Sequence, residues 1–242
     1  MCGVLLAYAK KGQLNQKKCI KASEKIFSRG PDFNFSRFKN DKKLFLSQTV
    51  LSITGNPELN LKYTKSINNR FEILFNGEIY NFNELQSKYL DKNNIYNLSG
   101  SDTETIINLH QLLNPLEVRK IVEGMFAYVV YDTKQNKVFI TRDIIGEKVL
   151  YEYEDDKLFI VSSQLGPILE IVDNIKINKN ALKRYFFTRH LLTQKETVYE
   201  NINVFQPGQS VEVDLENYNK RILESEQISD LINPSQISYN FN

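Results

Sequence analysis

Apolar residues in this chain fall in short unbroken runs more often than in strict alternation. Runs rich in β-branched and aromatic residues cover 3–8, 44–47, 71–75, 126–131, 138–141, 149–153, 158–161 and 210–213, and each predicts a strand. Helical spacing marks 16–27, 83–90, 102–113, 115–122 and 181–188. Between 126 and 163 four strands follow one another across short polar turns, which argues for antiparallel pairing, because parallel neighbours need long crossovers. Helices cluster before and after this run. The pattern predicts an α+β fold in which helices cover antiparallel sheets.

The chain has 242 residues, enough for one large domain or two small ones with a real core. No repeat, low-complexity linker or clear break precedes residue 218, so 2–218 reads as one domain. The stretch 219–242, which includes "KRILESEQISDLINPSQISYNFN", reads as a polar tail, either a docking helix or a frayed end. Composition is ordinary for a globular protein, 41% apolar and 25% charged. Its 31 basic and 29 acidic residues are well mixed, so no basic stripe marks a nucleic-acid footprint. Two cysteines, Cys2 and Cys19, make no disulfide framework, and residues 3–9 are too short to span a membrane. No signal peptide is evident, and a reducing cytoplasm is the expected compartment. His110 and His190 lie far apart without ligand spacing to a cysteine, so no metal site is expected.

Four stretches carry candidate chemistry, each with a plain structural reading beside it. Cys2 is either a packed thiol or, once Met1 is removed, an N-terminal residue carrying a thiol and a free α-amine together. In "FEILFNGEIYNF" the Asn76-Gly77 pair reads as turn chemistry, but an Asn side chain beside a Gly N–H also makes a two-donor cradle for an oxyanion. Glu78 would then stand at the same mouth, able to hold a cation. In "LSGSDTETIINL", Ser101 and Glu104 form a capping box, and Asp102 either serves the helix dipole or faces a cleft to bind an ammonium. "FSRGPDF" reads as a rigid Gly-Pro loop, with Arg29 and Asp32 able to hold its shape.

The order of these stretches is more specific than any one of them. Cys2-Gly3, "SRGPD", "LSI", "FNGEIYNF", "GSDTE", "EGMFAYVVYD", "TRDIIGEKVLYEY" and "TVYENINVFQPG" together resemble the class II glutamine amidotransferases, and among them the glutaminase half of glutamine-hydrolysing asparagine synthetases. The resemblance covers roughly residues 2–215. It implies an N-terminal-nucleophile hydrolase fold, a four-layer αββα sandwich with two antiparallel sheets between helices. It implies Cys2 as nucleophile, Asn76 and Gly77 as oxyanion donors, and Glu78 and Asp102 as contacts to the α-ammonium of glutamine. Val50, Ile53 and Thr54 complete the substrate positions. One position departs from the pattern H-x-R-L-S-I: "SQTVLSITG" places Gln48 at the His and Val50 at the carboxylate-gripping Arg, and Ser28 replaces the His that usually precedes R-G-P-D. Arg29, Arg37 and Arg70 are the candidates to replace that lost charge. The phosphate loop S-G-G-x-D-S of the synthetase half is absent, so ATP and Mg are expected only on a separate synthetase subunit or a missing C-terminal domain. No cofactor is expected in this chain.

Overall fold

The computed structural model describes residues 2–51, 64–191 and 195–225. Every residue of β1 (Gly3–Ala9) and of β3 (Leu44–Val50) is buried, which requires cover on both faces of the sheet they share. That sheet has six strands in the order β2-β3-β1-β8-β7-β9, adding β2 (Phe33–Lys39), β7 (Tyr151–Glu154), β8 (Leu158–Ser162) and β9 (Ile202–Val204). A second sheet has five, β11-β10-β6-β5-β4, formed by β4 (Phe71–Ile79), β5 (Gly124–Asp132), β6 (Lys137–Arg142), β10 (Gln209–Asp214) and β11 (Asn219–Ser225). All pairings within both sheets are antiparallel.

The two-residue period of the strands sorts the apolar side chains into layers. Even residues of β1 and β3 (Val4, Leu6, Tyr8, Leu44, Leu46) meet Leu74, Ala127 and Val129 between the sheets. Odd residues of β1 (Leu5, Ala7, Ala9) face Cys19, Ala22 and Ile26 of helix α1 (Gln16–Lys25) and its end, with Ile168 of α5 (Leu165–Ile171). On the far side, Ile73 and Phe75 pack on Ile106, Leu109 and Val118, from α3 (Asp102–Leu109) and α4 (Pro115–Ile121). Each such side chain contributes about 1.5–3 kcal/mol on burial. Three cores between four layers make the αββα sandwich that the resemblance implies.

The run of four strands at 126–163 is divided between the sheets. β5 pairs β6 in the second sheet and β7 pairs β8 in the first, so the chain crosses the sandwich after Arg142. Helix α2 (Phe82–Leu85) passes into a π-turn at Gln86–Leu90, shortening the helix expected at 83–90. Further on, α6 spans Lys179–Thr188. Among the described residues no helix is long and apolar enough to cross a membrane.

The polar stretch after Tyr218 is not all tail, since Asn219–Ser225 is the edge strand β11. Its anchor is ionic, which is why apolar patterning does not reveal it. Lys220 reaches across the sandwich to Glu152 at 2.9 Å and Glu154 at 3.1 Å. Tyr218 donates to Glu154 at 2.6 Å and stacks over Tyr8, with ring centroids 6.3 Å apart. These donors hold the Glu154 carboxyl down to about 2 against the opposing effect of burial.

His110, at the end of α3, lies in the outer core with its ring 5.9 Å from that of Phe71 and 6.2 Å from that of Tyr128. Among the described residues neither ring nitrogen has a hydrogen-bond partner, and burial pushes the imidazole down to about 4. An unfolded histidine titrates near ~6.5, so between that pH and about 4 the unfolded chain binds a proton the folded one refuses. Stability from this group is present above ~6.5 and is lost as pH falls through the folded value, up to about 3 kcal/mol at ~1.4 kcal/mol per unit. His110→Phe is expected to remove that part of the acid limb. Urea midpoints of both proteins between pH 4 and 7 read it as a difference.

Candidate functional site

Cys2 precedes β1 directly, and the β1–β3 register, with Gly3 opposite Thr49 and Val4 opposite Gln48, continues to set Cys2 against Val50. The Cys2 thiol accepts from the Leu51 N–H and lies within reach of the Asp102 charge. Gly3 makes this approach possible. A Cβ there would stand 2.5 Å from the Thr49 hydroxyl and 3.0 Å from Ile26 Cβ. The loop "SRGPD" braces the same strand end from behind. A Cβ on Gly30 would lie 2.5 Å from the Val50 backbone, Pro31 bridges Val50, and Arg29 Nε donates to the Cys2 carbonyl at 2.9 Å.

Asn76 and Gly77 lie inside β4 rather than in a turn beyond it. The strand continues to Ile79, which pairs with Gly124, because Gly77 lets β5 pass close. A Cβ on Gly77 would collide with the Met125 carbonyl oxygen and sit 2.6 Å from Phe126 Cα. β4 is an edge strand, so alternate residues turn their N–H and C=O groups away from the sheet. Tyr80 N–H to the Glu123 carbonyl, and Thr133 N–H to that of Arg70, show that even positions pair with β5 and odd ones face outward.

The outward groups are taken one after another. Ser66 pairs with Phe71, the Thr64 carbonyl accepts from Ile73, the Gln48 side chain holds both groups of Phe75, and Asp102 Oδ2 accepts from Ile79 N–H at 3.0 Å. Gly77 N–H has no such acceptor among the described residues. On the even face, Asn76 is 1% exposed, and its Nδ2 has no hydrogen-bond partner among the described residues. A buried donor left unmade costs about 1–3 kcal/mol. Two adjacent donors at this end of β4 are thus without a partner among the described residues, and Asp102, which bonds Ile79 at the same end, is near enough to act on the Cys2 thiol.

Glu78 is exposed beside them, and Asp102, at the start of α3, is half-buried. Burial raises the Asp102 carboxyl, the N–H groups of Ile79 and Thr103 oppose this, and the Glu78 charge adds to the rise. Two neighbouring carboxylates of this kind suit a cation. Ser101 caps α3 as expected, accepting from Glu104 N–H at 3.2 Å. The reciprocal half of the box is redirected: Glu104 is fully buried and accepts from Leu98 N–H at 3.1 Å and Ser99 N–H at 2.7 Å, holding the loop before the helix.

The Cys2 thiol is half-buried and pushed up by that burial, while the Leu51 N–H and the Arg29 guanidinium favour its thiolate and Asp102 disfavours it. Cys19, by contrast, is fully buried in the helix layer, its thiol pushed up to about 12. Neither histidine is at this site, since His110 packs in the outer core and His190 is exposed beyond α6. Val50 ends β3 and is buried, while Ile53 and Thr54 lie outside the described residues. Of the three candidate arginines, Arg29 alone stands at Cys2. Arg70 pairs with Asp132 at 2.6 Å at the opposite end of β4, about 20 Å from Asn76 at ~3.3 Å per residue. Arg37 is 3.4 Å from Glu72 and lies over the Phe35 ring. The role of Gln48 escapes sequence reading, because its partner is backbone on the other sheet.

Residues 1–223 match the family described as "Glutamine amidotransferase domain". The chain belongs to this glutamine amidotransferase family. Its relatives include the putative asparagine synthetase [glutamine-hydrolyzing] 2 of Methanocaldococcus jannaschii, 35% identical over 147 residues, with 60% of this chain and 27% of that protein covered. Asparagine synthetase [glutamine-hydrolyzing] 1 of Saccharomyces cerevisiae is 33% identical over 153 residues, covering 62% and 25%. This amidotransferase chain thus spans about a quarter of the length of those relatives. Among solved structures, the glutamine phosphoribosylpyrophosphate amidotransferase of B. subtilis superposes with a TM-score of 0.61 at 14% identity, over 93% of this chain and 50% of that one. At that identity the likeness shows the fold alone.

Proposed function

We propose that this amidotransferase domain hydrolyses glutamine to glutamate and ammonia, with Cys2 as nucleophile once Met1 has been removed, and that a synthetase domain or subunit using ATP and Mg consumes the ammonia. The observation that carries the proposal is that Asn76 Nδ2 and Gly77 N–H, adjacent at the end of β4, have no hydrogen-bond partner among the described residues. The freed α-amine of Cys2, with a reference pKa of about 7.7–8.0, takes the thiol proton as sulfur attacks the glutamine amide carbon. Charge collects on the former carbonyl oxygen, where Asn76 and Gly77 donate to it. The C–N bond then breaks as the ammonium returns its proton to the leaving ammonia. Water adds to the γ-glutamyl thioester, glutamate leaves, and the thiol is regenerated. Glu78 and Asp102 hold the substrate ammonium.

Mass spectrometry after treatment with a glutamine-mimicking diazoketone tests this reading. A chain lacking Met1 and carrying one adduct on Cys2, together with glutamate release at millimolar glutamine, is the expected result. A retained Met1, or no glutamate release with the synthetase partner present, overturns it.

Val50 favours a second reading, in which the same machinery acts on another amide or has become a binding subunit. Valine offers no donor to a carboxylate, where an arginine offers two in a fork. A charged hydrogen bond is worth roughly 1.5–3 kcal/mol, so Val50→Arg is expected to lower the KM for glutamine by about one to two orders of magnitude. Steady-state kinetics decides. A raised KM means that the carboxylate is held elsewhere, with Arg29, whose Nε donates to the Cys2 carbonyl, the candidate arginine at Cys2.

A further inference from the structure

Gln48 joins the two sheets at one point. From β3 its Nε2 donates to the Phe75 carbonyl at 3.0 Å and its Oε1 accepts from the Phe75 N–H at 3.2 Å. Both bonds go to the residue immediately before Asn76, and the side chain making them is only 4% exposed. Gln48 also stands opposite Val4, two residues along from the Cys2–Val50 position. One amide therefore ties the strand pair carrying the nucleophile to the edge strand carrying the oxyanion donors.

The edge position of β4 makes such a tie consequential. β5 holds β4 from one side only, and the 64–66 segment reaches no further along the open side than Ile73. Among the described residues, the open side from Phe75 onward is held by Gln48 and then by Asp102 at Ile79, with Gly77 between them. A primary amide can clasp a backbone N–H and C=O together, because it offers a donor and an acceptor side by side. By filling the outward groups of Phe75, Gln48 sets where the next outward N–H, that of Gly77, lies relative to Cys2.

We infer that Gln48 is the positioning residue that fixes the oxyanion donors Asn76 and Gly77 against the Cys2 nucleophile. The inference rests on the glutaminase reading above and adds a residue to it. Displacing donors by about 1 Å costs on the order of 10²-fold in rate while leaving ground-state binding largely intact. Gln48→Met keeps length and loses both bonds. It is expected to lower kcat for glutamine hydrolysis by roughly 10–100-fold with KM held within about threefold. Gln48→His can restore one of the two bonds and is expected to fall between them. A role limited to stability would instead scale activity with the folded fraction.

Amide hydrogen exchange in the unaltered protein supplies a readout that needs no variant to fold. Phe75 N–H is expected to be protected and Gly77 N–H to exchange at least about tenfold faster. Equal exchange at the two amides overturns the inference, as does a folded Gln48→Met that retains kcat within threefold while the unaltered protein hydrolyses glutamine. If the unaltered protein neither releases glutamate nor takes the diazoketone on Cys2, the glutaminase reading fails first and takes the positioning role with it. The exchange contrast then stands as a measurement of the Gln48–Phe75 tie alone.

Discussion

Cys2→Ala is expected to lower glutamate release from glutamine by at least about 10⁴-fold, because no other group near the site can form the thioester. Cys19 cannot substitute. It is sealed in the helix layer with odd residues of β1 between it and the cleft. The variant removes one heavy atom, the sulfur, from a half-buried position, so its thermal midpoint should stay close to that of the unaltered protein. Comparing glutamate release with thermal unfolding separates lost chemistry from lost fold. Activity surviving in Cys2→Ala would mean that water, rather than sulfur, attacks the amide. The same experiment has a pH arm: kcat/KM in the unaltered enzyme should rise as the α-amine loses its proton, around pH 7.7–8.0 at reference values.

Asn76→Ala is the next largest. Removing one preorganised donor to an oxyanion costs about 10²–10³-fold in kcat, or about 2.7–4 kcal/mol of transition-state stabilisation. KM should hardly move, since the donor is matched to charge that develops during attack. Asn76 Nδ2 has no hydrogen-bond partner among the described residues, so truncation breaks no hydrogen bond seen from that atom. Stability should hold or rise slightly while kcat falls. A parallel loss of stability, or a rise in KM with kcat retained, would assign Asn76 a packing or ground-state binding role instead.

Much of the candidate site was legible along the chain, because its residues sit within short segments whose local chemistry is distinctive. Cys2-Gly3 and Ser101-Asp102 each stand at the start of an element, as their local chemistry suggests, whereas Asn76-Gly77-Glu78 lies within β4 rather than beyond its end. The less visible features depend on partners distant in sequence. β11 was hidden by its polar composition, since Lys220 and Tyr218 reach Glu152 and Glu154 some 65 residues away. The reading of 126–163 as one run of strands missed its division because turn chemistry at 143–150 does not say which sheet the chain enters next. Asn76-Gly77 looked like a turn because that pair usually makes one, and only the close passage of β5 keeps it in a strand.

By itself the sequence determined the family, the residue types at the site and the missing arginine at Val50, since these are local and ordered along the chain. Only the tertiary structure decided that Arg37 and Arg70 are committed elsewhere, that Gln48 bridges the sheets, and that among the described residues the Gly77 N–H, alone of the outward N–H groups of β4, has no acceptor. The physical reason is that a hydrogen-bond donor is defined by what it has not bonded, and that depends on every strand, loop and side chain brought to the same edge.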